Sequence, residues 1–350
     1  MKLQRGGRTV GRTFALSLVL VLALTAVANA QSRLDTIMER GRLICGVNAV
    51  NPGFGFLDES TGTYAGFDTD YCRAVAAALF DDPTAVEFVP LTGGVRFSAI
   101  QTGEVDVVFR NTTKTLTRDS ENAVDFLPVN FHDGQGVMVR TDLGVSSVFE
   151  LEGATVCTNQ GSTTEANWTD LVRNQGWQGG QLLTFEDLAR TFAAFHGGRC
   201  DAITSDKSQL VGVRASVPDA DAFVILPESL SKEPLAGFTF QNDSTWHGAL
   251  SWIVYALVEA EELGITSSNV DEQMGSDNIA VRRFLGSEGT LGAEFGLPVG
   301  FAANVIRHVG NYGEIYDSHF GEGSPFPIPR AGTLNELHSR GGLMFSPPFR

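Results

Sequence analysis

The chain writes one phrase twice. The segment "RFSAIQTGEVDVVFRN" (96–111) is answered 95 residues later by "TFAAFHGGRCDAITSD" (191–206). Phe97 is matched by Phe192, Ala99 by Ala194, Gly103 by Gly198 and Asp106 by Asp201. Each copy reads as a short helix, a glycine that stops it, and a strand. The first strand, 105–109, is apolar on both faces, as in a parallel sheet covered by helices. One repeat at this spacing is no solenoid. It calls for two similar α/β lobes built of right-handed βαβ units.

The remaining pattern fills in both lobes. In the first, "LDTIMERGRL" reads as a helix closed by Gly41, 43–47 as a strand, and 48–67 as a loop or tight hairpin. A helix follows over 68–80, capped by Asp68 or Thr69, then a strand at 85–91, a helix near 95–101, the strand 105–109 and another at 135–139. In the second, a strand at 153–160 leads to a helix with a capping box of Ser162 and Glu165, followed by strand, helix and strand through 204. A strand at 234–240, two long amphipathic helices at 245–264 and 302–321, and a Gly/Pro-rich tail expected to wrap the surface complete the chain. This places lobe 1 at 31–139 and 238–350 and lobe 2 at 140–237, with a two-strand hinge near 137–141 and 234–239.

Residues 1–30 stand apart. Lys2, Arg5, Arg8 and Arg12 precede a short apolar run that ends in "ANA" at Ala30, the pattern of a signal peptide cleaved after Ala30. The run is shorter than the ~20 apolar residues of a membrane span, and no Cys follows it closely enough for a lipid anchor. Loss of four positive charges takes the formal net charge from −16 to −20, which disfavours nucleic acid or anionic membrane as a partner. Four cysteines remain for an oxidising compartment. Cys45 on a strand is expected to bridge Cys72 on the first helix, and Cys157 to bridge Cys200 on a neighbouring strand; the alternative is buried free thiols. The scattered histidines show no metal-site spacing, so no metal or cofactor is expected.

Ligands of such sheets sit beyond the carboxyl ends of the strands. The repeat delivers Asn111 there from lobe 1 and Asp206 from lobe 2. The segment "NTTKTLTRD" adds Thr113 and Arg118, and "QGSTTE" adds the N–H groups of a helix start at Ser162 and Thr163. Arg118 suits a carboxylate and Asp206 suits a cation. One anion site and one cation site across a cleft fit a zwitterion, hence an α-amino acid. Taken singly the signals are bland: Arg118 pairs equally well with Asp119 or Glu121, and Asp206 is an equally good helix cap.

At these residues a family resemblance emerges. "GFDTDYCRAVAAALF", "RFSAIQTGEVDVVFRNTT", "LTRD", "DGQGVMV", "GSTTE" and "VGNYGEIYD…GGLMFSPPFR" resemble the general L-amino-acid-binding proteins of bacterial ABC uptake systems, over almost the whole chain after the leader. The resemblance implies a two-lobed periplasmic-binding-protein fold (type II), an L-amino acid ligand, an inner-membrane ABC permease as partner, a monomer and a periplasmic location. It also implies that the Arg of a T-x-T-x-x-R motif, here Thr113, Thr115 and Arg118, holds the ligand carboxylate. The implied lobe-2 loop is Gly161, Ser162 and Thr163, the ammonium-binding acid is Asp206, and an aromatic contact falls on Phe54. Lys114, where the family usually has Trp, and Phe109, where it has a small residue, depart from the pattern and bear on the breadth of ligand choice. The alternative is a dehydratase-like enzyme with Asp206 as general acid or base, although no second acid or His stands at an obvious cleft position. A receptor's sensor lobe lacks its membrane segment.

Overall fold

A computed structural model describes residues 32–350, and the leader expected over 1–30, with its cleavage after Ala30, lies outside them. The chain folds around two five-stranded sheets and a small three-stranded one. The first sheet runs Val86–Pro90, Leu43–Val47, Val107–Val108, Glu233–Phe240, Val124–Asp133. The second runs Gln181–Phe185, Thr155–Asn159, Ala202–Asp206, Gln135–Arg140, Phe223–Ile225. In each, the first three strands are parallel and the fourth is reversed. The repeat in sequence is therefore a repeat in strand order.

Its fixed letters have a shared task. Gly103 and Gly198 take left-handed backbone, with φ of 76° and 77°, and end the helices Arg96–Gln101 and Leu188–His196. Three residues on, the backbone N–H of Asp106 donates to Ile44 O and that of Asp201 to Thr155 O, both at 2.8 Å. The two carboxylates then accept the N–H of those same residues, Ile44 and Thr155, both at 2.7 Å. Each Asp thus clasps a parallel neighbour near its start, Leu43–Val47 in lobe 1 and Thr155–Asn159 in lobe 2, and fixes the parallel register. Five positions later the chain must emerge at the carboxyl end of the sheet, at Asn111 in one lobe and Asp206 in the other.

The expected passages between lobes move. Gln135–Arg140 pairs only within the second sheet and Glu233–Phe240 only within the first. The chain crosses instead at Gly134 and between Ile225 and Glu233, not within 137–141 and 234–239. The crossing strands cannot be hinge midpoints, because each is the reversed fourth strand of the sheet it enters. The connectors touch: Leu230 N–H donates to Gln135 O at 2.9 Å, and a Cβ on Gly134 would lie 2.2 Å from Ser229 Oγ. The strand Val124–Asp133, which leads to the first crossing, escapes the sequence reading because Pro128 interrupts it. It lies at a sheet edge, where proline is tolerated.

Other differences are local. The 48–67 loop holds three short strands, Val50–Asn51, Gly55–Asp58 and Thr63–Ala65. The helix Phe67–Phe80 starts at Gly66 without a side-chain cap, because Asp68 and Thr69 fall inside its first turn. The helix expected over 302–321 is two, Phe301–Val309 and Tyr312–Phe320, broken at Gly310 (φ 84°) and restarted by a capping box of Asn311 and Glu314. The tail does cover lobe 1. Asn335 exchanges hydrogen bonds with the main chain of His132 at 2.7 and 3.0 Å, which pairs the open edge of Val124–Asp133. Arg330 grips Glu261 with bonds of 2.8 and 2.9 Å, and Phe349 stacks edge-on against Trp252 and Phe284.

Both disulfides form within a lobe, Cys45–Cys72 and Cys157–Cys200. Cys200 sits just ahead of its strand, and the register partner of Cys157 is Ile203. The bridges close segments with separations of 27 and 43 residues. Loops of this length give about 3–4 kcal/mol each in the chain-entropy account. Replacing Cys157 and Cys200 together by alanine should therefore lower the urea-derived unfolding free energy by that order, and non-reducing peptide mapping should find no link between lobes. A 45–157 or 72–200 peptide would overturn the pairing.

Candidate functional site

The two sheets end at a shared cavity of about 40 Å³. From lobe 1 its walls include Arg96, Arg110, Asn111, Thr113 and Arg118, and from lobe 2 Asn159, Ser162, Thr163 and Asp206. Six of the seven residues expected to bind ligand thus come together. The seventh does not. Phe54 is fully buried against Phe67, Phe131 and Phe320, with ring centroids 5.0–5.9 Å away, in the aromatic core under the hairpin. Phe109 and Lys114 do not line the cavity either. Phe109 packs on Tyr71, over Gly237, and Lys114 stands 5.9 Å over the ring of Phe126 on an outer face.

In lobe 1 the strand Val107–Val108 gives way to a tight turn. Asn111 takes φ of 35°, and its N–H donates to the buried Asp68 carboxylate at 2.6 Å. Asn48 donates to its side-chain oxygen at 3.2 Å. The residue expected to cap a helix thus braces a strained turn at the cavity. Thr115 caps the helix Leu116–Glu121, accepting the N–H of Arg118 at 3.2 Å. The motif's threonines divide their work: Thr113 faces the cavity and Thr115 starts the helix that carries Arg118. The Arg118 guanidinium donates to Thr113 O at 2.9 Å and reaches across to Gly161 O at 3.4 Å.

In lobe 2 Ser162 caps the helix Thr163–Gln175 by accepting the N–H of Glu165 at 3.1 Å. The Glu165 carboxylate takes the N–H of Gly161, at 2.7 Å, rather than that of Ser162. The first helical N–H groups have no partner inside the helix and are available to an anion. Asp206 stands at the N-cap of Lys207–Ala215, yet its side chain makes no capping bond. Asp133, from the first crossing, takes that place by accepting the N–H of Ser208 at 3.3 Å together with the Ser208 hydroxyl. The bland role of helix cap is filled by another residue, and Asp206 is left facing the cavity.

The charge balance is unusual. Among the described residues, no carboxylate lies within 4.0 Å of the guanidinium of Arg96, Arg110 or Arg118. The alternative ion pairs of Arg118 with Asp119 or Glu121 are not formed. Arg96 is 4% exposed, donates to Gly93 O, and leaves its Nε without a partner. Arg110 donates to Leu91 O at 2.8 Å. Burial, with mutual repulsion added, holds Arg96 well below the usual guanidinium range; burial also brings Arg110 to about 10 and lowers Arg118. Burial pushes Asp206 well above the usual carboxylate range, Asp133 and Glu233 push it further, and Arg118 and the facing Asn111 carboxamide oppose them.

The sequence reading misses Arg96, Arg110, Asp133 and Glu233. The signal for the arginines lies in the repeat itself. Arg96 and Arg110 align with Thr191 and Ser205, so the lobe-1 copy carries two cations that its partner lacks. Nothing local marks Asp133 and Glu233, which gain their place by facing each other in register across the two crossing strands. They are acids beside the cleft where none is expected.

The model of bacterial extracellular solute-binding proteins, family 3, matches residues 43–277. A general L-amino acid-binding periplasmic protein of Rhizobium johnstonii is 46% identical over 332 residues, 94% of this chain and 96% of its own. A glutamate/glutamine/aspartate/asparagine-binding protein of Rhodobacter capsulatus is 45% identical over 333 residues, 95% of this chain and 97% of its own. Among solved structures, an ABC transporter periplasmic binding protein from Brucella ovis with glutathione bound is 43% identical. It superposes with a TM-score of 0.87, covering 91% of this chain and 99% of that one.

Proposed function

The chain belongs to the bacterial extracellular solute-binding proteins of family 3, and we propose that it captures an L-amino acid between its lobes for delivery to an inner-membrane ABC permease. One observation carries the reading: three guanidiniums without carboxylate partners and one uncapped carboxylate converge on a single cavity. Arg118 and the N–H groups of Ser162 and Thr163 receive the α-carboxylate, and Asp206 with Asn111 and Thr113 receives the ammonium. A bare zwitterion leaves Arg96 without an anion of its own and Arg110 with only more distant ones, Asp68 foremost, and a buried unmatched charge is costly. The favoured ligands therefore carry a second carboxylate, as glutamate and aspartate do, or a side-chain oxygen that accepts from the guanidiniums, as their amides do. The R. capsulatus relative named for these four amino acids supports this choice.

The protein acts in the periplasm, reached by the 1–30 leader with cleavage after Ala30, as a monomer without cofactor, metal or nucleic-acid partner. Two disulfides suit that compartment. It binds without catalysis. Glu233 and Asp133, beside the cleft, do not line the cavity: Glu233 is held by four hydrogen bonds and Asp133 by Ser208, so neither faces a substrate together with Asp206.

Calorimetry with single variants tests the division of labour. Truncating one partner of a desolvated charge pair costs about 2–5 kcal/mol, a drop of more than ~10-fold in affinity. Arg118→Ala should weaken every amino acid by that much. Asp206→Asn should weaken amino acids but spare a des-amino analogue. Arg96→Met should weaken L-glutamate far more than L-alanine. If Asp206→Asn binds amino acids as tightly as the parent, the zwitterion clamp is wrong.

The raised pKa of Asp206 sets a sign for pH. Its carboxyl keeps a proton at pH values where an ordinary carboxylate has lost it, and an ammonium displaces that proton. Affinity should therefore rise as the pH climbs above the usual carboxylate range, with proton release visible as a buffer-dependent enthalpy. A flat profile would mean that Asp206 is ionised throughout.

The cavity is small, about 40 Å³, and Thr113 Oγ1 of one lobe meets Thr163 Oγ1 of the other at 3.4 Å. Entry requires the lobes to part about the connectors at Gly134 and between Ile225 and Glu233. Small-angle scattering should show a smaller radius of gyration at saturating L-glutamate than without ligand. An unchanged radius would count against a moving hinge.

A further inference from the structure

Glu233 is 1% exposed and lies where the chain re-enters lobe 1. Its Oε2 accepts the hydroxyl of Thr113 at 2.6 Å and that of Thr163 at 2.7 Å. Its Oε1 accepts Asn167 Nδ2 at 3.0 Å and the Ser231 hydroxyl. Thr113 belongs to lobe 1, and Thr163 and Asn167 to lobe 2. Among the described residues no cation pairs with this carboxylate within 4.0 Å. Its role is read from the direction of these bonds.

An ionised carboxylate only accepts, and a hydroxyl has a single proton. Both threonine protons are committed to Glu233, so each hydroxyl can offer the cavity only lone pairs. We propose that Glu233 is a positioning residue that sets the polarity of the cleft wall. It turns Thr113 and Thr163 into obligate acceptors, one from each lobe, so that the site selects a ligand ammonium and rejects an oxygen anion at that point. The inference rests on the amino-acid reading above. It adds that Asp206 does not recognise the ammonium alone, and that the α-carboxylate is confined to Arg118 and main-chain N–H groups. Because one carboxylate oxygen serves hydroxyls of both lobes, this acceptor pair exists only when the lobes are closed. Ammonium recognition and closure are thus tied through Glu233.

The test is selectivity, which a merely structural bracket would leave unchanged. L-glutamate and its des-amino counterpart glutarate are titrated into the full-length mature protein, glutarate by displacement at millimolar concentration. Glu233→Gln keeps the size of the side chain but removes the charge that holds both threonine protons on one oxygen, which leaves a threonine proton free to turn to the ligand. The ratio of L-glutamate to glutarate affinity should fall about tenfold, roughly the worth of one charge-assisted hydrogen bond. Equal loss for both ligands, or no loss, overturns the proposal. Asp206→Asn separates the two layers. If it too leaves the ratio unchanged, the ammonium reading fails, whereas if it lowers the ratio and Glu233→Gln does not, only the role of Glu233 fails. Should Glu233→Gln not fold, as judged by thermal melting, Thr163→Val removes one acceptor at constant shape. A lowered ratio for it supports the proposal and an unchanged ratio overturns it.

Discussion

Everything at the cleft depends on a clasp at the opposite end of each sheet. Asp106 and Asp201 hold a parallel neighbouring strand near its start with a main-chain and a side-chain hydrogen bond each. A one-residue slip of a strand turns every side chain to the other face. With the register pinned, the residues five positions downstream must leave the sheet at its carboxyl edge, one in each lobe. Asp106 is 1% exposed and also pairs with Arg40, so the lobe-1 clasp is buried, whereas Asp201 holds its strand from an exposed position. The glycine three residues earlier is required for the sharp turn that aims the aspartate at its strand.

The cleft so positioned is under electrostatic tension. Burying a guanidinium without an anion is costly, and lobe 1 buries two, Arg96 and Arg110, beside a third, Arg118. The arginines are held by main-chain carbonyls of the turns around them rather than by acids. On the reading proposed above, this arrangement leaves their charge for a ligand. In the proposed function, a closed, ligand-bound state relieves what the protein alone does not, and this would couple capture to closure.

The crossings contribute more than flexibility. Asp133 ends the outgoing strand and Glu233 begins the returning one, directly opposite in register. Each takes over hydrogen bonds that other residues would otherwise make. Asp133 caps the helix that Asp206 begins, so Asp206 stays free, and Glu233 collects the hydroxyl protons of Thr113 and Thr163. The acids shape the site without lining it.

The sequence by itself determined the two-lobed α/β architecture, the cysteine pairing and most of the cleft, because these depend on local signals. They are a repeated phrase, glycine stops, apolar strands and a capped helix start. It could not set the passages between lobes, since the strand Val124–Asp133 contains Pro128 and only its edge position makes that acceptable. Nor could it separate Phe54, a core aromatic, from a ligand contact, because an aromatic in a turn suits either setting. Asp133 and Glu233 acquire their roles only through partners far along the chain: Asp133 meets Ser208 across 75 residues, and Glu233 meets Thr113 across 120 and Thr163 across 70. Local pattern decides which element a residue joins. Only the packed tertiary structure decides which charges are left unpaired, and those are the ones a ligand must answer.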